Sequence, residues 1–234
     1  MTHPLDNPVY ASLTGPHAAL ARRSGYAVRY PADITPFCGL PADPSGADWA
    51  EMAGLFTPGE AALFPGLGGD GTPPDGWEVL GGGPGVQLVA DGIDAKPDPE
   101  AVPLGPDDTP DMVALAGRSK PGPFGPRTVE LGGYLGIRRD GELVAMAGER
   151  FHPPGYTEIS AVCTDAAWRG HGFASRLTLA VAATIQARGE TPFLHAVATN
   201  TNAIRLYKSL GFSHRREILF QRIRRSSPGV AGRA

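Results

Sequence analysis

A glycine-rich turn between a strand-like and a helix-like stretch carries the clearest chemistry in this sequence. The turn, Arg169-Gly-His-Gly-Phe-Ala174, follows the strand-like residues 157–164 and precedes the helix-like residues 175–188. Such a turn points several backbone N–H groups in one direction, and the helix dipole adds positive potential. Gly170 and Gly172 let the backbone approach an anion closely. The segment therefore predicts a phosphate-binding loop, although its spacing matches neither a Walker loop nor GxGxxG.

A second motif lies downstream, after the strand-like residues 193–198. It reads Asn202-Ala-Ile-Arg-Leu-Tyr-Lys-Ser-Leu-Gly-Phe212. The glycine turn, with Arg169, Gly172 and Ala174 in the pattern Arg-x-x-Gly-x-Ala, resembles the coenzyme A pyrophosphate loop of the GNAT N-acetyltransferases. The second motif resembles the other hallmark of that family, in the family's order.

The chain resembles the FR47-like branch of the GNAT family most closely, and this branch includes the C-terminal half of glycine N-acyltransferases. The resemblance is strong over residues 129–220 and weaker upstream. It implies an α+β fold, in which a mixed and mostly antiparallel sheet is flanked by helices. It also implies an enzyme that transfers the acetyl group of acetyl-CoA to a primary amine by direct attack, without a metal. A longer-chain or aroyl-CoA N-acyltransferase and a non-catalytic acyl-CoA sensor are the alternatives.

The resemblance assigns acetyl-CoA binding mostly to backbone groups of the strand and of the glycine turn. Arg169 and Arg176 offer charge-assisted contacts to phosphate, although Arg176 also fits a solvated helix position. Asn202 fits two roles that are compatible with each other: it caps or begins its helix, or it contacts the cofactor. The residues expected to bind acetyl-CoA are Ala161, Val162, Cys163, Thr164, Arg169, Gly170, His171, Gly172, Phe173, Ala174, Ser175, Asn202 and Tyr207.

Two residues are the catalytic candidates. The resemblance assigns protonation of the leaving thiolate to Tyr207, which also fits a buried aromatic with a polar end. Glu158 precedes Arg169 by 169 − 158 = 11 residues, the offset of the glutamate base in the histone-acetylating branch. It equally fits a solvent-facing carboxylate at a strand end, and Glu149 is the rival base. His195 fits a proton relay or a structural role.

Composition limits the partners. The chain has 234 residues, 41% of them hydrophobic, a net charge of −3 and two cysteines. This charge implies no bulk attraction to nucleic acid or membranes. We expect free thiols and a cytoplasmic protein, because the sequence contains neither a signal-peptide pattern nor a long apolar span. The expected partners are a small-molecule amine or amino acid, a protein N-terminus or lysine, and a second copy of the chain in a homodimer.

Proline and glycine are dense over residues 66–110, where residues 94–100 read as a linker. This pattern predicts an N-terminal domain at 1–96 and a GNAT domain at 97–234. The smaller N-terminal α/β part fits a degenerate GNAT-like half or an unrelated cap.

Turn signals complete the sequence-based expectations. Residues 81–85, Gly-Gly-Gly-Pro-Gly, predict a hairpin turn between the strands 77–80 and 86–89, and a last hairpin is expected around 212–223. The Asp-Gly pair at 140–141 predicts a third hairpin. Thr109 is the predicted N-cap of a helix over 109–116.

Overall fold

The computed structural model describes residues 3–66 and 71–226. Over these residues the helices are α1 (Pro8–Leu13), α2 (Gly46–Gly54), α3 (Thr109–Ser119), α4 (Phe173–Ala187) and α5 (Thr201–Ser209). The strands are β1 (Arg22–Ser24), β2 (Ala27–Arg29), β3 (Cys38–Gly39), β4 (Ala61–Pro65), β5 (Trp77–Ala90), β6 (Val102–Leu104), β7 (Tyr134–Arg139), β8 (Glu142–Glu149), β9 (Tyr156–Thr164), β10 (Thr191–Val197) and β11 (Phe212–Arg225).

Eight of these strands form one sheet in the order β4-β11-β5-β10-β9-β8-β7-β6. All neighbouring pairs are antiparallel except β9 and β10, which run parallel. Helices cover this sheet, so the predicted α+β class with a mixed and mostly antiparallel sheet is confirmed.

The middle of the sheet is buried on both faces. Adjacent residues of a strand point to opposite faces, and in β10 the neighbours Phe193 and Leu194 are both buried. Leu194 packs with the apolar side of α4, whereas Phe193 packs with α1 and with Tyr30 of the N-terminal segment. The N-terminal segment, residues 5–37, therefore forms a layer of the core on the face opposite α4.

The N-terminal part also contributes strands to the main sheet, across the expected domain boundary. β5 lies between β10 and β11, and β4 pairs with the outer side of β11. The division at 96/97 therefore runs through one continuous sheet. The N-terminal part also has a small sheet of its own, which consists of β1, β2 and β3, each two or three residues long.

Two of the predicted hairpins are wrong. β5 is a single strand that passes through the glycines without turning, and it pairs with β11 from Trp77↔Arg225 to Phe212↔Ala90. The hairpin expected around 212–223 is also absent, because β11 runs through these residues as one strand. The glycines serve close contact between these strands: Gly82 has φ +158°, and a Cβ there would lie 2.0 Å from the Phe220 carbonyl oxygen.

The local turn signals succeed better. β7 and β8 form the predicted hairpin, with Asp140 and Gly141 at φ +49° and +85°. α3 has the predicted position, but its N-cap is Asp108 rather than Thr109. The Asp108 carboxylate accepts a hydrogen bond from the Gly105 N–H at 2.9 Å, which stabilises the preceding turn.

The shared sheet makes a direct prediction about truncation. A fragment of residues 97–234 lacks β4 and β5, so the backbone groups of β10 and β11 that pair with β5 lose their partners. We expect the fragment to show no cooperative thermal transition by circular dichroism, whereas the full chain does. A fragment that melts cooperatively and binds CoA would restore the division at 96/97.

Candidate active site

The site forms where two parallel strands separate. β9 and β10 pair only over three positions, from Thr191↔Tyr156 to Phe193↔Glu158. After that point β10 continues along β5, and β9 continues along β8. A cavity of about 1220 Å³ opens between them. The gap exposes the backbone edges of two strands in the middle of a sheet, where a ligand can take the place of the missing pairing.

A β-bulge in β9 shapes one wall of this cavity. Gly148 pairs with Ser160 and Met146 pairs with Cys163, so three steps along β9 match two along β8. The extra residue falls at Ala161, whose φ is +53°. Because a bulge leaves backbone groups unpaired and turns them away from the ladder, this wall can offer N–H groups to a bound oxygen atom.

The glycine turn forms the mouth of the cavity. Gly172 is the N-cap of α4 with φ +74°, and no side chain caps the helix. The N–H groups of the first turn of α4 therefore remain available for an anion. Cβ atoms at Gly170 and Gly172 would have no heavy atom within 4 Å, so the space above the turn is open. This cradle fits a pyrophosphate group.

The two arginines of the turn differ. Arg176 binds the Asp98 carboxylate through Nε at 2.6 Å and Nη2 at 2.8 Å, and its Nη2 lies 3.1 Å from Glu100 Oε1. These ion pairs tie residues 98–100 to α4 and occupy the guanidinium. Arg169 is exposed and lines the cavity, so it is the better placed of the two for phosphate.

All but one of the residues expected to bind acetyl-CoA line the cavity. They are Ala161, Val162, Cys163, Thr164, Arg169, Gly170, Gly172, Phe173, Ala174, Ser175, Asn202 and Tyr207. His171 is not among them; its Nδ1 lies 3.1 Å and 3.2 Å from the carbonyl oxygens of Trp168 and Arg169. Thr164 Oγ1 is buried without a hydrogen-bond partner among the described residues, which suits a polar contact to a ligand arm.

α5 positions Tyr207 on the opposite wall. Tyr207 is 9% exposed, and burial, together with the nearby Cys163 thiol, raises the pKa of its phenol to about 12. The phenol therefore keeps its proton at neutral pH. Asn202 begins its helix rather than capping it: Asn200 is the N-cap of α5, with its Oδ1 accepting from the Ala203 N–H at 3.2 Å. Asn202 stands in the first turn and lines the cavity.

Glu158 lies at the last position where β9 pairs with β10, and it is completely buried. Its carboxylate accepts hydrogen bonds from Arg150 Nε at 2.8 Å and Nη2 at 2.6 Å, and it contacts His195 Nδ1 at 2.7 Å. Burial alone would raise the pKa of Glu158, but the Arg150 charge and the hydrogen bonds from Arg150 and His195 outweigh burial and lower it to about 2. Glu158 does not line the cavity. A buried carboxylate with a lowered pKa and no access to the cavity is poorly suited to act as a catalytic base.

The rival carboxylate also lies away from the cavity. Glu149 is 2% exposed. Its oxygens lie 2.9 Å from Arg188 Nη2 and 3.4 Å from His152 Nε2, and Oε2 accepts from the Gly133 N–H at 3.2 Å. None of these four residues lines the cavity. Glu149 therefore belongs to a separate polar cluster under the N-terminal segment.

The end of the cavity opposite the glycine turn is apolar and aromatic. Phe37, Leu63 and Phe220 line it, together with Arg150 and His195. The Arg150 guanidinium lies 4.8 Å from the centre of the Phe37 ring. This end suits an acceptor with an apolar body.

Comparison with known proteins identifies the family. The model of the FR47-like protein family matches residues 134–221. A crystal structure of a GNAT-family protein from Novosphingobium aromaticivorans is 39% identical to this chain. The match covers 97% of this chain and 100% of that one, with a TM-score of 0.88. This chain belongs to the GNAT family.

A second GNAT structure shares the fold. The GCN5-related N-acetyltransferase from Kribbella flavida is 17% identical, with coverage of 95% of this chain and 97% of that one and a TM-score of 0.61. No curated protein matches the chain. The FR47-like match and the Novosphingobium structure together make this protein an acyltransferase of the FR47-like branch of the GNAT family.

Two further observations concern the part of this GNAT protein that the structure describes. Over residues 3–66 and 71–226, the helices are too short or too polar to cross a bilayer. Within the same ranges, no group of three or more His, Cys, Asp or Glu side chains is arranged to hold a metal ion.

Sequence reasoning missed the residues at the far end of the GNAT cavity. Phe37 comes from the N-terminal segment, Leu63 from β4 and Phe220 from β11. They belong to no motif, and only the tertiary fold brings them together. Arg150 gave one weak signal, a charge directly after an apolar strand.

The glycine turn makes a prediction about CoA binding to this GNAT protein. Gly172→Asp puts a negative charge beside the phosphate site, so CoA should no longer raise the melting temperature, a shift that reports binding to the folded state. Gly172→Ala is the matched control, because it carries the same backbone strain at φ +74° without the charge. Unchanged CoA affinity in folded Gly172→Asp would remove the turn from the phosphate site.

The buried ion pair makes a prediction about stability. Glu158→Gln leaves the Arg150 charge without its partner, so we expect a loss of about 3–5 kcal/mol in the free energy of unfolding, measured by urea titration. Glu78→Gln, in an exposed pair with Arg224, is the matched control and should cost far less.

The same ion pair should make the stability of the wild-type protein depend on pH. Since folding lowers the Glu158 pKa from 4.5 to about 2, this stabilisation is present above pH 4.5 and is lost as the pH falls from 4.5 towards 2. Equal losses in Glu158→Gln and Glu78→Gln would contradict the buried pair.

Proposed function

We propose that this protein is an acetyl-CoA-dependent N-acetyltransferase that acetylates a primary amine by direct attack. One observation carries the proposal: a single cavity joins the uncapped start of α4, the bulged wall of β9, Tyr207 and an apolar far end. These are the parts that acyl transfer needs, namely an anion cradle for the donor, a donor of hydrogen bonds to the developing oxyanion, a proton source and space for an acceptor.

The donor end fits coenzyme A. The backbone N–H groups at the start of α4 would hold the pyrophosphate, with Arg169 nearby as the free cation. The open edge of β9 and Thr164 Oγ1 would hold the amides of the pantetheine arm, which then runs towards the fork of the strands. Acetyl-CoA, when bound, supplies an activated thioester.

The chain's own groups then act on this thioester. Tyr207 holds its proton at neutral pH and would donate it to the leaving sulfur. An unpaired N–H at the bulge near Ala161 would stabilise the oxygen as it gains charge. Burial raises the pKa of the Cys163 thiol to about 12, so it stays protonated. A protonated, buried thiol favours direct attack by the amine over an acyl-enzyme at Cys163.

The central test is release of free CoA thiol from acetyl-CoA in the presence of a panel of amines. Release that depends on an amine supports the transferase. Tight binding of acetyl-CoA without release with any amine would support a sensor instead. Replacing acetyl-CoA by benzoyl-CoA in the same assay tests the aroyl-transfer alternative.

Tyr207 gives a sharper prediction. Tyr207→Phe should lower kcat by about 10²–10⁴-fold and leave the KM for acetyl-CoA nearly unchanged, because the phenol matters mainly as the thiolate leaves. Tyr156→Phe is the matched control; Tyr156 lies outside the cavity, and its hydroxyl contacts His3 Nε2 at 3.2 Å. An unchanged kcat in Tyr207→Phe, where chemistry limits the rate, would remove Tyr207 from the mechanism.

A further inference from the structure

The charged and proton-bearing side chains on the cavity wall set limits on the acceptor. Among the described residues the wall carries no Asp or Glu side chain. The titratable residues on it are Lys120, Arg150, Cys163, Arg169, His195 and Tyr207. The lysine and the two arginines are cations, and Cys163 and Tyr207 keep their protons at neutral pH. Only His195 remains as a side chain that could accept a proton from the acceptor amine.

His195 is held by its neighbours in one tautomer. The amide of Gln87 is oriented by two contacts: its Oε1 accepts from Arg215 Nη1 at 2.8 Å, and its Nε2 donates to the Leu5 carbonyl at 2.9 Å. The second hydrogen of Gln87 Nε2 therefore points to His195 Nε2, 3.0 Å away. His195 Nε2 must accept this bond, so the ring hydrogen lies on Nδ1 and is donated to Glu158.

This arrangement prevents His195 from acting as a base. A proton added at Nε2 would face the Gln87 N–H, donor against donor. The Nδ1 atom already carries the ring hydrogen that binds Glu158 at 2.7 Å. The His195 side chain is only 1% exposed. Glu158, with three N–H donors around its two oxygens, cannot take the proton either.

The far end of the cavity also disfavours a charged acceptor. An ammonium group would lose its hydration among Phe37, Leu63 and Phe220 and would approach the Arg150 guanidinium. Desolvation and a like charge both favour the neutral form of an amine. The Arg150 side chain, 11% exposed, is held in place by Glu158 and lies over the Phe37 and Phe151 rings.

We propose that the acceptor is a weakly basic amine with an apolar body, and that it enters the site already uncharged. An α-amino group next to a carbonyl, as in an amino-acid amide, is of this class, whereas a lysine side chain or a polyamine is not. The inference rests on the proposed transferase function and specifies its substrate.

The transfer then balances without a base. The neutral amine nitrogen attacks the thioester carbon, a C–N bond forms and the C–S bond breaks. Tyr207 gives its proton to the sulfur, and the surplus proton of the nitrogen restores Tyr207, directly or through water. The products are an amide and a thiol.

The test compares two acceptors that share a phenyl ring, phenylalanine N-methylamide and 2-phenylethylamine, on the full-length wild-type protein. The value of kcat/KM for each amine is measured from about pH 6 to about pH 10, with circular dichroism as the control for folding. We expect the acidic limb of each profile of kcat/KM against pH to follow the ionisation of the amine itself. The pKa is about 8 for the α-amino group and about 10 for the alkylamine. At pH 7 the amide should be preferred by roughly 100-fold, the ratio of the uncharged fractions.

The outcomes separate the two proposals. An acidic limb at the same pH for both acceptors would reveal an ionising group of the protein as the base and would overturn this inference alone. Equal kcat/KM values for the two acceptors at pH 7 would overturn it as well. Absence of thiol release with these and all other amines would overturn the transferase proposal, and this inference with it.

Discussion

The buried carboxylate of Glu158 holds three strands together at the point where β9 and β10 separate. It lies at the last position where β9 pairs with β10. Its partners are Arg150, which directly follows β8, and His195 of β10. A buried charge is tolerated only when several donors satisfy it, and Arg150 and His195 provide them. The same three residues therefore fix the fork, and two of them, Arg150 and His195, line the cavity.

The network continues beyond the fork to the ends of the chain. His195 contacts Gln87 of β5, which binds Arg215 of β11 and the Leu5 carbonyl of the N-terminal segment. Arg215 in turn binds Asp6 at 2.6 Å. Each member is satisfied by the next, as buried polar networks require. The N-terminal segment and β4 thus complete the site that the C-terminal motifs begin. They supply Phe37 and Leu63, respectively, to the far wall.

The sequence predicted the parts of the site that are local. The glycine turn and the Tyr207 helix are contiguous segments whose conformation follows from their own residues, such as the glycines at positive φ. It failed where strand partners decide the structure. Residues 81–85 have the composition of a turn, but pairing with β11 along the whole of β5 keeps them extended. Glu158 matched a catalytic offset, yet its environment depends on Arg150 and His195, whose approach no spacing reveals.

The position of β5 has a consequence for how the chain folds. β5 ends at residue 90, and both of its neighbours in the sheet, β10 and β11, begin more than 100 residues later. Pairings of such long sequence separation form slowly, because the intervening chain must be ordered first. During synthesis the β5 strand leaves the ribosome long before a partner exists, so its apolar residues must wait unpaired. The cavity can close only when the last strand has been made, and an incomplete chain therefore has no site with which to bind CoA.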